Sequence, residues 1–440
     1  MAYISLEELA MINQQQLPNA GYASKKLNVL AVILALSVVY GGVGGLCAFA
    51  GGPPPEAPEY EVTVIPGPFC GIFGYEPAVG WGINDLGNIC GYERNCASDW
   101  EPFFWSPQTG RVVLEIPAGF EQGRAFDLNS KNQVVGELLT INVVPHAALW
   151  QNGEAIELGI PPWGNFSQAR AINDKAQVTG QWGNSAIGPL HAFLWVDGEM
   201  LDLQLPIGPL HAGNDINSVG MITGWMGNAF FIDSHAFIWD DGKVTDLGVI
   251  PGGFTGEGIA INNHGDVAVQ GRMLNDNKEV IIRSFLWRDS QWIDIGVLPG
   301  CDITRVLDIN DAGQAIGFCE GPGTFGHFLW EDGVMWELND IVQTDDPNFD
   351  FVSIPRGINA TGQIAGLGNH FEFGAVAVLL SEIVPPVGDL DGDGDVDVSD
   401  LLILLGSWGP CADCNDCPAD LDESCSVSTT DLLLLFSNWG

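Results

Sequence analysis

Residues 389 to 400 read Asp389-Leu390-Asp391-Gly392-Asp393-Gly394-Asp395-Val396-Asp397-Val398-Ser399-Asp400. Counted from Asp389, carboxylates fall at positions 1, 3, 5, 9 and 12, a glycine takes the turn at position 6, and Asp395 at position 7 offers its backbone carbonyl. Oxygen donors at alternating positions of a tight loop wrap a hard cation of high coordination number, so the expected chemistry is calcium binding. Asp420, Asp422, Ser424, Ser426, Ser428 and Asp431 repeat the pattern with fewer carboxylates, and Cys425 stands where the turn glycine would be. This second loop is expected to bind more weakly, or not at all. Each loop runs into a leucine-rich segment, Leu401–Leu405 and Leu432–Phe436, so each reads as a loop followed by a helix.

The rest of the 440-residue chain must fold on other terms. Only 16% of residues are charged, while 57 glycines and 26 prolines signal short strands and tight turns rather than helical bundles. Acids outnumber bases 56 to 15, for a formal charge of -41. A field of that sign repels phosphate backbones and anionic headgroups, which excludes nucleic-acid binding and charge-driven attachment to a membrane surface. A hydrophobic content of 46% excludes a largely disordered acidic chain. Lys25 and Lys26 precede an apolar run from Leu27 to Ala50 that closes on Ala48-Phe49-Ala50. Residues 1–50 therefore read as a signal peptide, or as a membrane anchor because the run is long enough to span a bilayer. Either way the remainder is exported, to the extracellular space or the cell surface. A Pro-rich linker at 51–59 follows, and a second linker at 384–387 precedes the acidic stretch 388–440, which holds twelve acids and no base.

Between the linkers one signature recurs seven times: Ile83-Asn84, Leu128-Asn129, Ile172-Asn173, Ile216-Asn217, Ile261-Asn262, Ile309-Asn310 and Ile358-Asn359. Successive asparagines lie 45, 44, 44, 45, 48 and 49 residues apart, a period typical of propeller blades. An alternating segment ending in glycine follows each asparagine, then an aromatic strand such as His191–Trp195, an Asp-Gly turn and a strand ending like Asp246-Leu247-Gly248. That makes four strands per copy, with the asparagine expected to supply the positive φ of a hairpin turn. The last copy shows only three strands, and Glu61–Gly67 matches the missing fourth. The expected fold is thus mainly β: a seven-bladed β-propeller over 60–383, closed by the N-terminal strand, plus a small α-helical module at 388–440. An open stack of the same units is the alternative.

The repeats resemble the bacterial extracellular family named HAF after its His-Ala-Phe tripeptide, carried whole by His191-Ala192-Phe193 and His235-Ala236-Phe237. The resemblance implies export and repeat architecture. The paired EF-hand-type loop-helix units, with Asp at position 12, resemble a type I dockerin. That resemblance implies a calcium-folded module that docks a cohesin-like partner, with Val398, Ser399, Thr429 and Thr430 at the positions that help contact it.

In an exported chain, cysteines read as disulfides. Cys301 and Cys319 flank Asn310 symmetrically, and Cys70 and Cys96 flank Asn84 nearly so, which pairs each couple and leaves Cys90 as a thiol. Cys411, Cys414, Cys417 and Cys425 read as two disulfides of open connectivity, with zinc as the alternative. The repeated histidines 146, 191, 235 and 327 read as hydrogen-bonding residues, and the tryptophans 105, 150, 195, 239, 287 and 330 as packing. The off-repeat Trp81, Trp100, Trp163, Trp182, Trp225, Trp292 and Trp336 are the candidates for a sugar-stacking surface. No catalytic constellation emerges, although Glu121, Glu137, Glu257 and Glu320 fall outside the repeat pattern. Two functions follow. One is a non-catalytic binding or scaffold propeller for glycan or protein, docked through its tail. The other is a polysaccharide-degrading glycosyl hydrolase tethered the same way, which would need off-pattern carboxylates and aromatics clustered on one face.

Overall fold

Each Ile-Asn signature turns one strand back onto the next. In the computed structural model, which describes residues 57–71, 74–184, 188–228, 233–384, 386–414 and 417–439, Phe166–Ile172 pairs with Val178–Gly183 in the third repeat. That strand pairs with Leu190–Val196, which pairs with Glu199–Asp202, all antiparallel. The same four-strand meander recurs in the first, second, fourth, fifth and sixth repeats, starting at Ala78, Gln122, Leu210, Glu257 and Ile303. One parallel pairing, Leu190 with Leu210, joins the third and fourth meanders into a continuous sheet. All of this lies in the unit Pro55–Gly440; the proposed signal or anchor segment, residues 1–50, and the start of the first linker fall outside the described residues.

The last repeat contributes three strands, Phe349–Ile358, Ile364–His370 and Gly374–Glu382. Tyr60–Ile65 supplies the fourth, antiparallel to Gly374–Glu382, with Tyr60 opposite Glu382 and Ile65 opposite Ala377. The segment matched by sequence to a missing strand therefore takes that strand's place. A short strand, Val342–Gln343, adds a parallel edge beyond it that the sequence did not announce.

The turn asparagines do more than turn. Asn84 Nδ2 donates to the carbonyl of Asn129 at 2.9 Å, and Asn129, Asn173, Asn217, Asn262 and Asn310 each donate to the next asparagine's carbonyl at 3.0 to 3.2 Å. Asn359 closes the cycle by donating to the carbonyl of Asn84 at 3.0 Å. All seven are buried. A closed ring of hydrogen bonds joining the innermost hairpins of successive sheets is the architecture of a β-propeller. The expectation of positive φ at these asparagines is corrected. The left-handed residue comes three positions later, as at Gly87 (71°), Asn132 (59°) and Ala176 (58°). Each asparagine's side-chain oxygen instead accepts turn amides, as Asn173 does from Lys175 and Gln177. The Asp-Gly turns do use positive φ at both residues, 52° and 87° at Asp197-Gly198, which suits the twist of a two-residue hairpin. Asn217→Asp keeps the acceptor and loses the donor, leaving the buried Asn262 carbonyl to the Gly265 amide alone and setting a carboxylate oxygen against it. A loss of about 2–3 kcal/mol is expected, similar to that of Asn217→Ala. A thermal melt of N217D that overlays the unaltered protein would show the ring to be dispensable.

A second regularity was not anticipated. The pairing of the first two strands skips a residue three before the asparagine in every repeat, at Trp81, Phe126, Arg170, Asn214, Ile259, Leu307 and Arg356, and the last repeat skips Asp350 and Ser353 as well. A bulge bends the strand and re-aims the extra side chain. It also brings backbone close to the facing strand. A Cβ on Gly180 would lie 2.0 Å from the Gln168 carbonyl oxygen, which accounts for the glycine ending the alternating segment.

Just after the bulge, repeats two, four and six carry Asp127, Asp215 and Asp308, where the others carry glycine or alanine. Each carboxylate accepts the amide of the following residue and reaches across to the amide of Ile172, Ile261 or Ile358 in the next repeat, at 2.7 to 2.8 Å. Alternate sheets are thereby stapled to their neighbours. The small residue opposite is required, since a Cβ on Gly82 would lie 2.8 Å from the Asp127 Cα.

The apolar core lies between sheets, with Phe103, Phe193, Phe237 and Phe328 fully buried on the third strands. Trp150 and Trp330 are buried too, and Trp105, Trp195, Trp239 and Trp287 pack half-buried against the clusters between sheets. The repeated histidines reach across to the fourth strand: His146 to Glu157 at 2.7 Å, His191 to Asp202 at 2.8 Å and His235 to Asp246 at 3.0 Å.

Four disulfides form: Cys70–Cys96, Cys301–Cys319, Cys411–Cys417 and Cys414–Cys425, and Cys90 is a buried thiol. The pairings expected in the propeller are right, but the register behind them is corrected. Cys319 sits opposite Thr304, because the hairpin is centred beyond Asn310, with Ile309 opposite Ala315, and Cys301 reaches it from the turn before the strand. In the tail, helices Val398–Gly406 and Thr429–Ser437 each start from a capping box, Asp397 with Asp400 and Ser428 with Asp431. They share a small core of Val396, Leu404, Ala419, Val427 and Leu435.

Candidate functional site

The bulge residues lie on the inner strands, three positions before the asparagine ring. Going round from the last repeat they are Arg356, Trp81, Phe126, Arg170, Asn214, Ile259 and Leu307, chemically unlike one another in an otherwise regular repeat. Six of them, with Tyr92, Arg124, Gln168 and Glu257, line a basin of about 440 Å³. A bulge re-aims its side chain away from the ladder, so these positions are where ligand chemistry can be written.

One side of the basin is aromatic. Trp81 lies 5.6 Å from Tyr92 and 5.4 Å from Phe126, ring centre to ring centre, and Trp100 meets Tyr92 edge-on at 5.1 Å. The Arg356 guanidinium sits 4.2 Å above the Trp81 ring. The other side is a chain of planar polar groups. Arg170 donates to the Asn214 side-chain oxygen, and Asn214 donates to the Gly258 carbonyl at 2.7 Å. Gln270 donates to Glu257 at 3.2 Å. Beneath the rim, Glu137 is 1% exposed and lies 2.7 Å from Arg124, an ion-pair distance without hydrogen-bond alignment, while Gln168 donates to its other oxygen at 2.7 Å. Burial pushes the Glu137 carboxyl up, and Arg124 and the Gln168 hydrogen bond oppose it. Burial also pulls Arg170 and Arg356 down from the usual guanidinium range, though a guanidinium stays cationic at neutral pH.

Of the tryptophans singled out for stacking, only Trp81 lines this basin. Trp182 is buried and stacks on His191 at 4.2 Å, Trp225 is buried, Trp292 packs edge-on against Trp287, and Trp336 joins the core of the last sheet. Trp163 is 79% exposed and lines a separate cleft with Trp182 and His191. Of the off-pattern acids, Glu257 lines the basin and Glu137 supports it. Glu121 is exposed, and Glu320 sits 3.8 Å from Arg305. The basin thus offers a ligand one carboxylate, where hydrolysis by the usual route needs two. The bulge residue is the one three before each repeat asparagine, a fixed place in the repeat whose significance only the strand pairing reveals.

In the tail, carboxylate oxygens of Asp389, Asp391 and Asp393 all lie within 4.8 Å of one another, as do those of Asp420, Asp422 and Asp431. Asp400 is buried and accepts the amides of Leu390, Asp391 and Asp397, which draws the loop around it. The turn position of the second loop, Cys425, is left-handed at φ 66° and tied to Cys414. Val398, Ser399, Thr429 and Thr430 are exposed at the two helix starts.

No protein-family model and no curated protein matches the chain. Solved structures of similar arrangement include an acylaminoacyl peptidase of Pyrococcus horikoshii, 11% identical over 72% of this chain and 53% of that one, with a TM-score of 0.45. This chain therefore spans about half the length of that peptidase. Virginiamycin B lyase from Staphylococcus aureus is 12% identical over 73% of this chain and all of that one, with a TM-score of 0.43. A six-bladed β-propeller lectin of Aleuria aurantia is 9% identical over 60% of this chain and 96% of that one, at 0.32. At such identities and scores the likeness carries no argument about function.

Proposed function

We propose that the chain is an exported, seven-bladed β-propeller closed by its N-terminal strand, that it binds glycan at the basin without cleaving it, and that a calcium-folded dockerin-like tail docks it to a cohesin-like partner. The observation that carries the binding role is the basin itself. Aromatic rings face planar amide and guanidinium groups, the pairing that suits a sugar's apolar ring face and its hydroxyl rim. Four disulfides suit an oxidising compartment outside the cytoplasm.

The tail is read as a calcium module because its clustered carboxylates have no basic residue in 388–440 to balance them. Asp389, Asp391, Asp393, Asp397, Asp400 and the Asp395 carbonyl would hold the first ion. Asp420, Asp422, Ser424, Ser426, Ser428 and Asp431 would hold a weaker second one. Val398, Leu402, Leu433 and Phe436 leave apolar surface exposed on the two helices, which suits a partner-facing side. Chelating calcium from the protein, or replacing Asp391 by Ala, is expected to reduce its helical circular dichroism and shift the fluorescence of Trp408 and Trp439. A tail indifferent to both would not be a calcium module.

The binding role is tested by incubating the purified protein with insoluble polysaccharides in calcium buffer and measuring both retention and new reducing ends. Retention without release, weakened at least tenfold in Trp81→Ala, is expected. Release of reducing ends would favour the hydrolase reading, with Glu257 the first carboxylate to replace.

A further inference from the structure

Five arginines of this chain lie within ion-pair distance of a carboxylate. Arg111 meets Glu93 at 2.5 Å, Arg288 meets Asp266 at 2.9 Å, and Arg283 meets Asp294 at 3.0 Å. With 56 acids to 15 bases, that outcome is expected at almost any position. Arg94, over the Trp100 ring, and Arg356 have no such partner, and of the two only Arg356 stands at a bulge position. Among the described residues no carboxylate pairs with it, its buried Nε has no hydrogen-bond partner, and it rests on the face of Trp81. Arg170, also at a bulge position, is held by an amide oxygen rather than a carboxylate. Two cations therefore flank two aromatics, Trp81 and Phe126, on consecutive sheets.

A half-buried guanidinium without a counter-ion is costly unless something supplies the charge. We propose that the basin takes an acidic sugar, a uronic acid residue at a polysaccharide end or in a short oligomer, whose carboxylate pairs with Arg356 on Trp81, at the edge of the basin. This rests on the glycan-binding reading above. The guanidinium fork matches a carboxylate in two parallel hydrogen bonds, and Trp81 and Phe126 lie beside it for the sugar's apolar face. A cup of about 440 Å³ is of small-ligand size and has no room for a nucleic-acid duplex. The chain's overall negative charge does not forbid the ligand. The Debye length is about 8 Å at physiological salt, so distant acids are screened while Arg356 acts at contact range.

The test is calorimetric titration of the purified protein with trigalacturonate, its methyl ester and cellotriose, at fixed calcium. Trigalacturonate is expected to bind at least tenfold more tightly than either neutral trimer. Arg356→Gln should lose that preference, Arg356→Lys should keep part of it, and Arg283→Gln on an outer strand should change nothing. Thermal melts of the variants separate lost binding from lost folding. Equal affinity for charged and neutral trimers, or an unchanged preference in folded Arg356→Gln, would overturn the acidic-sugar assignment and leave glycan binding standing. Binding of none of the three would overturn both.

Discussion

A chain shortened to begin at Gly67 is expected to lose its cooperative thermal transition, whereas one that begins at Ala57 keeps it. The difference is the strand Tyr60–Ile65. Its six residues pair one by one with Gly374–Glu382, and Tyr60 and Ile65 are buried at 0% and 2% exposure. Burying a large apolar side chain is worth about 1.5–3 kcal/mol, and Val62 and Val64 pack partly against the same core. The sum approaches the ~5–15 kcal/mol by which whole domains are stable. Removal also leaves Gly374–Glu382 as a long apolar edge, which invites pairing between chains. The strand is fastened to the first sheet as well, since the loop that follows it carries Cys70, bonded to Cys96, and Tyr75, packed 4.6 Å from Phe373 of the last repeat. Calorimetry and gel filtration check the expectation, and a peptide of residues 57–67 added in trans should restore the transition. A shortened chain that melts within 2–3 °C of the longer one would mean that the sheets do not depend on closure.

That strand was legible because a repeat array keeps its own accounts. The last copy lacked a strand and Glu61–Gly67 matched it. Meander order, Asp-Gly turns and the packing tryptophans were legible for the same reason, each being fixed by position in the repeat. What escaped notice depends on neighbours in space. The Asn84-to-Asn359 ring is made between copies, so no single copy shows why the asparagine recurs, and the turn alone looked sufficient. The bulge is invisible in any one strand, because it is a fact about pairing, yet it decides which residue enters the basin. Arg356 and Arg170 read in sequence as two unremarked bases, and only the skipped register sets them beside Trp81. The alternation of Asp127, Asp215 and Asp308 with small residues was present in the letters. Its reason, a carboxylate reaching the next sheet's amide, was not.

Those three carboxylates carry the other large effect. They keep partial exposure but are surrounded by protein, and burial pushes Asp215 up to about 6 and Asp308 up to about 8. Asp127 is pushed well up too, by burial first and then by Asp215 and Asp308. Amides donated from Ile172, Ile261 and Ile358 oppose the shifts without cancelling them. An unfolded aspartate titrates near ~3.9, so between that value and the raised ones the folded chain holds more protons than the unfolded chain. Stability from these groups is therefore complete below about pH 4 and is lost as pH rises through 6 and then 8. For Asp215 alone the displacement corresponds to ~3 kcal/mol. The propeller, melted with calcium saturating, should be markedly more stable at pH 5.5 than at pH 8.5. Asp308→Asn removes the titration and also the bond to the Ile358 amide, because its NH2 group cannot accept. Its penalty should therefore be largest near pH 5.5 and shrink or reverse at pH 8.5, where the unaltered chain must hold a charge that the variant does not. A penalty independent of pH would assign Asp308 a stapling role alone, and a stability that climbs with pH would mean that all three carboxylates stay ionised across the range, held so by the amides they bridge.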